Sequence, residues 1–134
     1  MKILVIDAQG GGIGKQIVAA IKREQPQTEI TAVGTNSAAT AAMLKAGADH
    51  AATGENAVVV GCRSADVIIG PIGIVIADAM YGEVTERMAV AVGRADATRI
   101  LIPINKCENL VAGVKDVSMS AMIEDTLAKL AKLM

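Results

Sequence analysis

A glycine-rich turn wedged between an apolar strand and a helix-period segment sets the frame for this chain. The run Ile3-Leu4-Val5-Ile6-Asp7 leads into Ala8-Gln9-Gly10-Gly11-Gly12-Ile13-Gly14-Lys15. From Gly12 to Glu24 the apolar positions Ile13, Ile17, Ala20 and Ile21 share one helical face, while Lys15, Gln16, Lys22 and Arg23 fall elsewhere. Pro26 ends the helix. Glycine lets backbone N–H groups approach an anion closely, and the N-terminus of the following helix adds unpaired donors and a partial positive charge. The turn therefore reads as a phosphate site. The competing reading is a glycine turn that serves only close helix–strand packing.

The same unit then repeats. Residues 28–34 read as a second strand, followed by an alanine-rich helix from Ser37, a capping residue, to Ala46, with Gly47 where helices commonly end. A short strand is expected near 49–52. The run 56–63 contains three valines that favour a strand, yet a parallel neighbour needs a crossover of a dozen residues or so, and the run is assigned to helix on that ground. Further strands are expected at 66–70 and 99–103, with a short helical piece around 74–80, a helix from Thr85 to about Ala95, and a short strand over 110–114. In the C-terminal helix Met119, Met122, Ile123, Leu127, Leu130 and Met134 share one face. This alternation implies an α/β, Rossmann-like, doubly wound three-layer sandwich: one domain over residues 1–134 with a mostly parallel sheet of about five strands. Ligands in such sheets bind at the carboxyl ends of the strands, beside the first strand–helix turn.

Composition narrows the partners. Apolar residues form 52% of the chain, but charges and glycines interrupt every stretch well before the roughly 20 residues that cross a bilayer. Met1-Lys2-Ile3 runs straight into the strand and leaves no room for a signal peptide, so the expected compartment is the cytoplasm. A net charge of −1 and a single aromatic residue, Tyr81, argue against nucleic acid. Cys62 and Cys107 lack the spacing of a zinc site or a disulfide scaffold, and no metal is expected.

The glycine turn fits three registers. Against GxGxxG the best alignment sets Gln9, Gly11 and Gly14; against GxxxGxG it sets Ala8, Gly12 and Gly14. In the second register Gly12-Ile13-Gly14-Lys15-Gln16-Ile17 resembles the Gly-Ile-Gly turn of short-chain dehydrogenases/reductases. Likewise, Asp66-Val67-Ile68-Ile69-Gly70-Pro71-Ile72-Gly73-Ile74 is similar to that family's Asp-x-Leu-Val-Asn-Asn-Ala-Gly-Ile segment, matching at Asp66 and Gly73 but not at the two asparagines. The resemblance covers about the first half of that architecture. It implies dinucleotide-type binding, NAD or NADP, through Gly12 and Gly14, with Gly70, Pro71 and Gly73 passing the cofactor; Gln9, Gly10, Gly11 and Ile13 complete the loop's candidate cofactor contacts. It does not extend to hydride transfer, because Thr85 stands four residues after Tyr81 where that family has lysine. The acid expected after the second strand is replaced by Thr35-Asn36-Ser37, small polar groups able to hold a 2′-phosphate or simply to cap a helix.

The third register compares Gly10-Gly11-Gly12-Ile13-Gly14-Lys15-Gln16 with a deviant P-loop, but Gln16 replaces the magnesium-binding hydroxyl and Gly10 the signature lysine. Over nearly its whole length the chain also resembles a small bacterial family of uncharacterised proteins that begins with the same strand, glycine loop and Gly-Thr-Asn-Ser segment. That likeness implies a Rossmann-like fold and no activity.

Asp7 faces the loop as a ribose or metal ligand or as a cap, and Asn105 and Lys106, with Glu108, follow the fifth strand at the ligand edge as candidate substrate contacts. Cys107 adjoins Lys106, and His50 lacks an evident partner. Met88–Val92 and Ile74–Ala77 are apolar on more than one face, which suggests a homo-oligomer, most simply a two-fold dimer. No catalytic set is identifiable. The expected function is nucleotide binding, preferably NAD(P); the alternative is a non-catalytic oligomeric sensor or assembly protein whose loop binds a small anion or nothing.

Overall fold

The computed structural model describes residues 1–104 and 109–134; Asn105, Lys106, Cys107 and Glu108 lie outside the described residues. The strands are β1 (Ile3–Asp7), β2 (Ile30–Gly34), β3 (His50–Thr53), β4 (Val67–Pro71) and β5 (Thr98–Ile102), and the helices α1 (Gly12–Glu24), α2 (Ser37–Lys45), α3 (Glu55–Ser64), α4 (Glu86–Arg94) and α5 (Met119–Ala131). The strands form one sheet in the order β3-β2-β1-β4-β5, and every adjacent pair is parallel. β1 lies at the centre, in register with β2 from Ile3–Ile30 to Asp7–Gly34 and with β4 from Ile3–Val67 to Val5–Ile69.

Because side chains alternate along a strand, the continuous apolar runs feed two cores. Ile3, Val5, Ile30, Val67, Ile69, Ile100 and Ile102 meet the inner faces of α1, α2 and α5 through Ile17, Ile21, Met43 and Leu130. Leu4, Ile6, Val33 and Ile68 meet α3 and α4 through Val58, Cys62, Met88 and Val92. Each buried isoleucine, leucine or valine contributes about 1.5–3 kcal/mol, so β1, buried along its whole length, anchors both layers. The expected doubly wound α/β sandwich with a parallel sheet of five strands is the observed architecture.

The valine run of α3 is helical, since β3 and β4 lie on opposite sides of the β2–β1 pair and only a crossover joins them. Val58 and Cys62, one helical turn apart, point inward, whereas Val60 is 47% exposed. Three local expectations are corrected. The segment after β4 is a single 3₁₀ turn over Ile72–Val75 and then a knot of turns, because Asp78, Met80 and Tyr81 take left-handed backbone angles that no α-helix accommodates. No strand forms over 110–114, where Gly113 at φ 80° breaks any extended run. The cap of α2 is Asn36 rather than Ser37: its side chain accepts from the Ala39 N–H.

The apolar positions that suggested an interface are largely covered within the chain. Met88, Ala89, Val92 and Ile74 are buried in the α3/α4 layer, leaving Val90 at 40% exposure. Among the described residues no helix is long and apolar enough to cross a membrane.

Candidate functional site

In this strand order the crossing from β3 to β4 places a crevice above the carboxyl ends of β1 and β4, where consecutive connections leave the sheet on opposite faces. The turn after β1, the turn after β2 and the knot after β4 meet there. Their meeting point is the carboxylate of Glu83. Glu83 Oε1 accepts from the Gln9 N–H at 2.8 Å, from Thr35 Oγ1 at 2.7 Å and from Asn36 Nδ2 at 2.7 Å. Partial burial works against its ionisation, but these three bonds outweigh it and hold the carboxyl below the ordinary value of 4.5.

Asn36 ties the three turns together. Its Oδ1 caps α2, and its Nδ2 also donates to the Gln9 carbonyl at 2.8 Å. Gln9 is thus bound through both its N–H and its C=O, which explains how a non-glycine residue is held at φ 50°. Thr35 donates its own N–H to the Asp7 carbonyl. Ser37 is exposed on the first turn of α2.

Asp7, at the end of β1, is 3% exposed and turns its carboxylate back into the glycine loop. Oδ1 accepts from the Ala8 N–H at 2.8 Å and Oδ2 from the Gly14 N–H at 2.7 Å. It is therefore a cap on α1, standing in for the side-chain cap that Gly11 cannot provide. Burial raises its carboxyl above the ordinary 3.8, the Gly14 and Ala8 bonds pull against that rise, and the Glu83 charge adds to it.

The loop glycines divide into two kinds. Gly14 is packed: a Cβ there would lie 2.6 Å from Met43 Sδ and 2.8 Å from Asp7 Cβ. Gly11, at φ 73°, would set a Cβ 2.8 Å from Ala39 Cα. A Cβ on Gly10 or Gly12, by contrast, meets nothing within 4 Å. Around these two exposed positions the N–H groups of Gly10, Gly12 and Ile13 find no acceptor among the described residues, the last two because the first turn of a helix has none within it. The Ile13 side chain itself is buried in the core beneath α1.

Of the other predicted positions, Gly70 and Pro71 end β4 and are buried, and Gly73 is buried in the 3₁₀ turn. A Cβ on Gly70 would come 2.5 Å from the Ile6 carbonyl, so this glycine serves the β1–β4 contact. His50 pairs with Glu29 at the surface, 3.0 Å away, and Cys62 is a buried free thiol. Among the described residues no three His, Cys, Asp or Glu side chains group as a metal site would require. Sequence reasoning missed Glu83. Its signal was positional: one of two carboxylates, with Asp78, in the connection after β4, at the edge where strand ends meet.

A family described as a domain of unknown function (DUF3842) matches residues 2–134. The chain belongs to the DUF3842 family. No curated protein matches the sequence. Among solved structures, the DUF3842 chain is similar to a dodecameric FMN-dependent UbiX-like decarboxylase from Escherichia coli O157:H7, at 18% identity and a TM-score of 0.48 over 98% of this chain and 76% of that one.

The expectation of NAD or NADP is corrected. The loop itself does not fit a dinucleotide. Two of the donors a pyrophosphate would draw on are already taken, Gln9 N–H by Glu83 and Gly11 N–H by the Ala8 carbonyl. Thr35 and Asn36, expected to hold a 2′-phosphate, instead donate to a carboxylate that would repel one.

Proposed function

We propose that this DUF3842 member binds a phosphate-bearing ligand of the mononucleotide type in the crevice above β1 and β4, with the phosphate at the N-terminus of α1. One observation carries the reading. Gly10 and Gly12 have no packing reason to be glycine, yet they flank three N–H groups, those of Gly10, Gly12 and Ile13, that lack acceptors among the described residues. A helix N-terminus with free N–H groups, and no Cβ to keep an anion away, binds phosphate.

Thermal unfolding with inorganic phosphate, pyrophosphate, FMN and the nucleoside mono-, di- and triphosphates, with and without Mg²⁺, tests it. A ligand at 100 times its Kd stabilises by about 2.7 kcal/mol, and Gly12→Ala, whose methyl group would stand where the phosphate sits, is expected to remove the shift in a chain that still folds. No shift with any phosphate compound overturns the reading.

The same reading includes self-association, most simply as a two-fold dimer. Its support is the α3/α4 layer, which keeps Val60 and Val90 exposed. Sedimentation at micromolar concentration is expected to show a species larger than the monomer, and a monomer alone overturns it.

A further inference from the structure

We infer that Glu83 is the group that selects the ligand, by accepting hydrogen bonds from a ribose-type vicinal diol attached to the phosphate. The inference rests on the phosphate-binding reading and adds to it the chemistry of the ligand's other end.

An ionised carboxylate offers about four acceptor positions on two oxygens. In Glu83 the spending is lopsided. Oε1 takes three donors, from Gln9, Thr35 and Asn36, and Oε2 takes none among the described residues. The donors come from two different turns, after β1 and after β2, while Glu83 itself comes from the connection after β4. The carboxylate is therefore fixed in position from outside its own loop, and its second oxygen is presented as a preformed acceptor. It cannot donate, because the three bonds favour the charged form.

That oxygen has a neighbour of opposite character. Gln9, whose N–H binds Glu83, is followed directly by Gly10, whose N–H is free. Donors without acceptors thus stand beside an acceptor without donors. A ligand that satisfies both carries an anionic group next to hydroxyls, as a sugar phosphate does. A second anion at Glu83 is repelled, and an apolar group leaves the charge unsatisfied.

Isothermal titration with matched pairs tests this: nucleoside 5′-monophosphates of adenine, guanine and uracil, each against its 2′,3′-dideoxy form, with inorganic phosphate as the diol-free reference. A hydrogen bond to a charged acceptor makes a difference of tenfold or more in affinity, so the dideoxy compounds are expected to bind about tenfold or more weakly than their parents. In Glu83→Gln the amide oxygen can keep the three internal donors while an NH₂ replaces the free oxygen. The variant is expected to shrink the parent-to-dideoxy ratio to about twofold or less and to bind inorganic phosphate as well as or better than the native chain. A purely structural Glu83 would leave that ratio unchanged in both proteins. Equal binding of parent and dideoxy compounds to the native chain overturns the inference and leaves the phosphate reading standing. Failure of every phosphate compound, inorganic phosphate included, overturns both.

Discussion

Alanine at Gly14 is expected to lower the stability of this chain by about 2–4 kcal/mol, whereas alanine at Gly12, two residues earlier in the same loop, leaves it within about 1 kcal/mol of the parent. The added methyl is the same and the surroundings decide. At Gly14 it would enter 2.6 Å from Met43 Sδ, 2.8 Å from Asp7 Cβ and 2.9 Å from Asp7 Oδ2. Met43 is fully buried and can give a little; Asp7 sits at the end of the central strand and cannot. Relief of the clash pushes the carboxylate off the Gly14 N–H, so overpacking and loss of the α1 cap arrive together. At Gly12 the methyl meets nothing, and alanine is the better helix former. Urea unfolding of the two variants checks this through the shift in midpoint at constant slope. Equal stability of the two would mean that Gly14 is not a packing residue. The contrast also decides which variant can report on binding: Gly14→Val removes the fold, and only Gly12→Ala removes the space for an anion.

The layering was legible in the sequence because it depends on patterns that survive without tertiary information. Four apolar runs and the short His50–Thr53 strand, separated by helix-length segments, lead to a parallel sheet, and the crossover requirement overrode the strand propensity of Val58-Val59-Val60. The site was legible only in part. Glycine content marked the loop but could not separate Gly11 and Gly14, set by Ala39 and by Met43 and Asp7, from Gly10 and Gly12, set by nothing in the protein. That distinction depends on atoms brought in from α2. The acid missing after β2 was a similar case: a carboxylate does stand against Thr35 and Asn36, but it arrives from 48 residues away, and no spacing rule within one βα unit reaches that far. The Asn105 and Lys106 contacts expected after β5 fall outside the described residues. The nicotinamide expectation failed for a related reason, since a glycine motif states where N–H groups are and not which of them the protein already uses.

Replacing Asp7 by asparagine is expected to cost about 2–3 kcal/mol near neutral pH, and the gap from the native chain is expected to widen as the pH falls. The carboxylate accepts two buried N–H groups, from Ala8 and Gly14. An amide keeps one of these bonds and turns an NH₂ against the other donor, leaving a buried N–H unsatisfied at about 1–3 kcal/mol. The pH dependence has the opposite sign from that of an exposed ion-paired aspartate. Burial raises the folded pKa of Asp7 above the ordinary 3.8, so between those two values the folded chain binds more proton than the unfolded one. Stability withheld by the ionised group at neutral pH returns as the pH falls through the folded value and is complete below 3.8. Asparagine at position 7 forfeits that gain, and the variant falls further behind on acidification. Glu83 runs the other way. Its folded pKa lies below 4.5, so the stability it contributes is present above 4.5 and lost as the pH falls through its folded value; Glu83→Gln therefore closes its gap with the native chain over the same descent. Urea midpoints of the native chain and both variants from about pH 7 to pH 3 separate the two carboxylates. Gaps that move in the same direction for both would show that the crevice does not hold one buried cap and one pinned, charged acceptor.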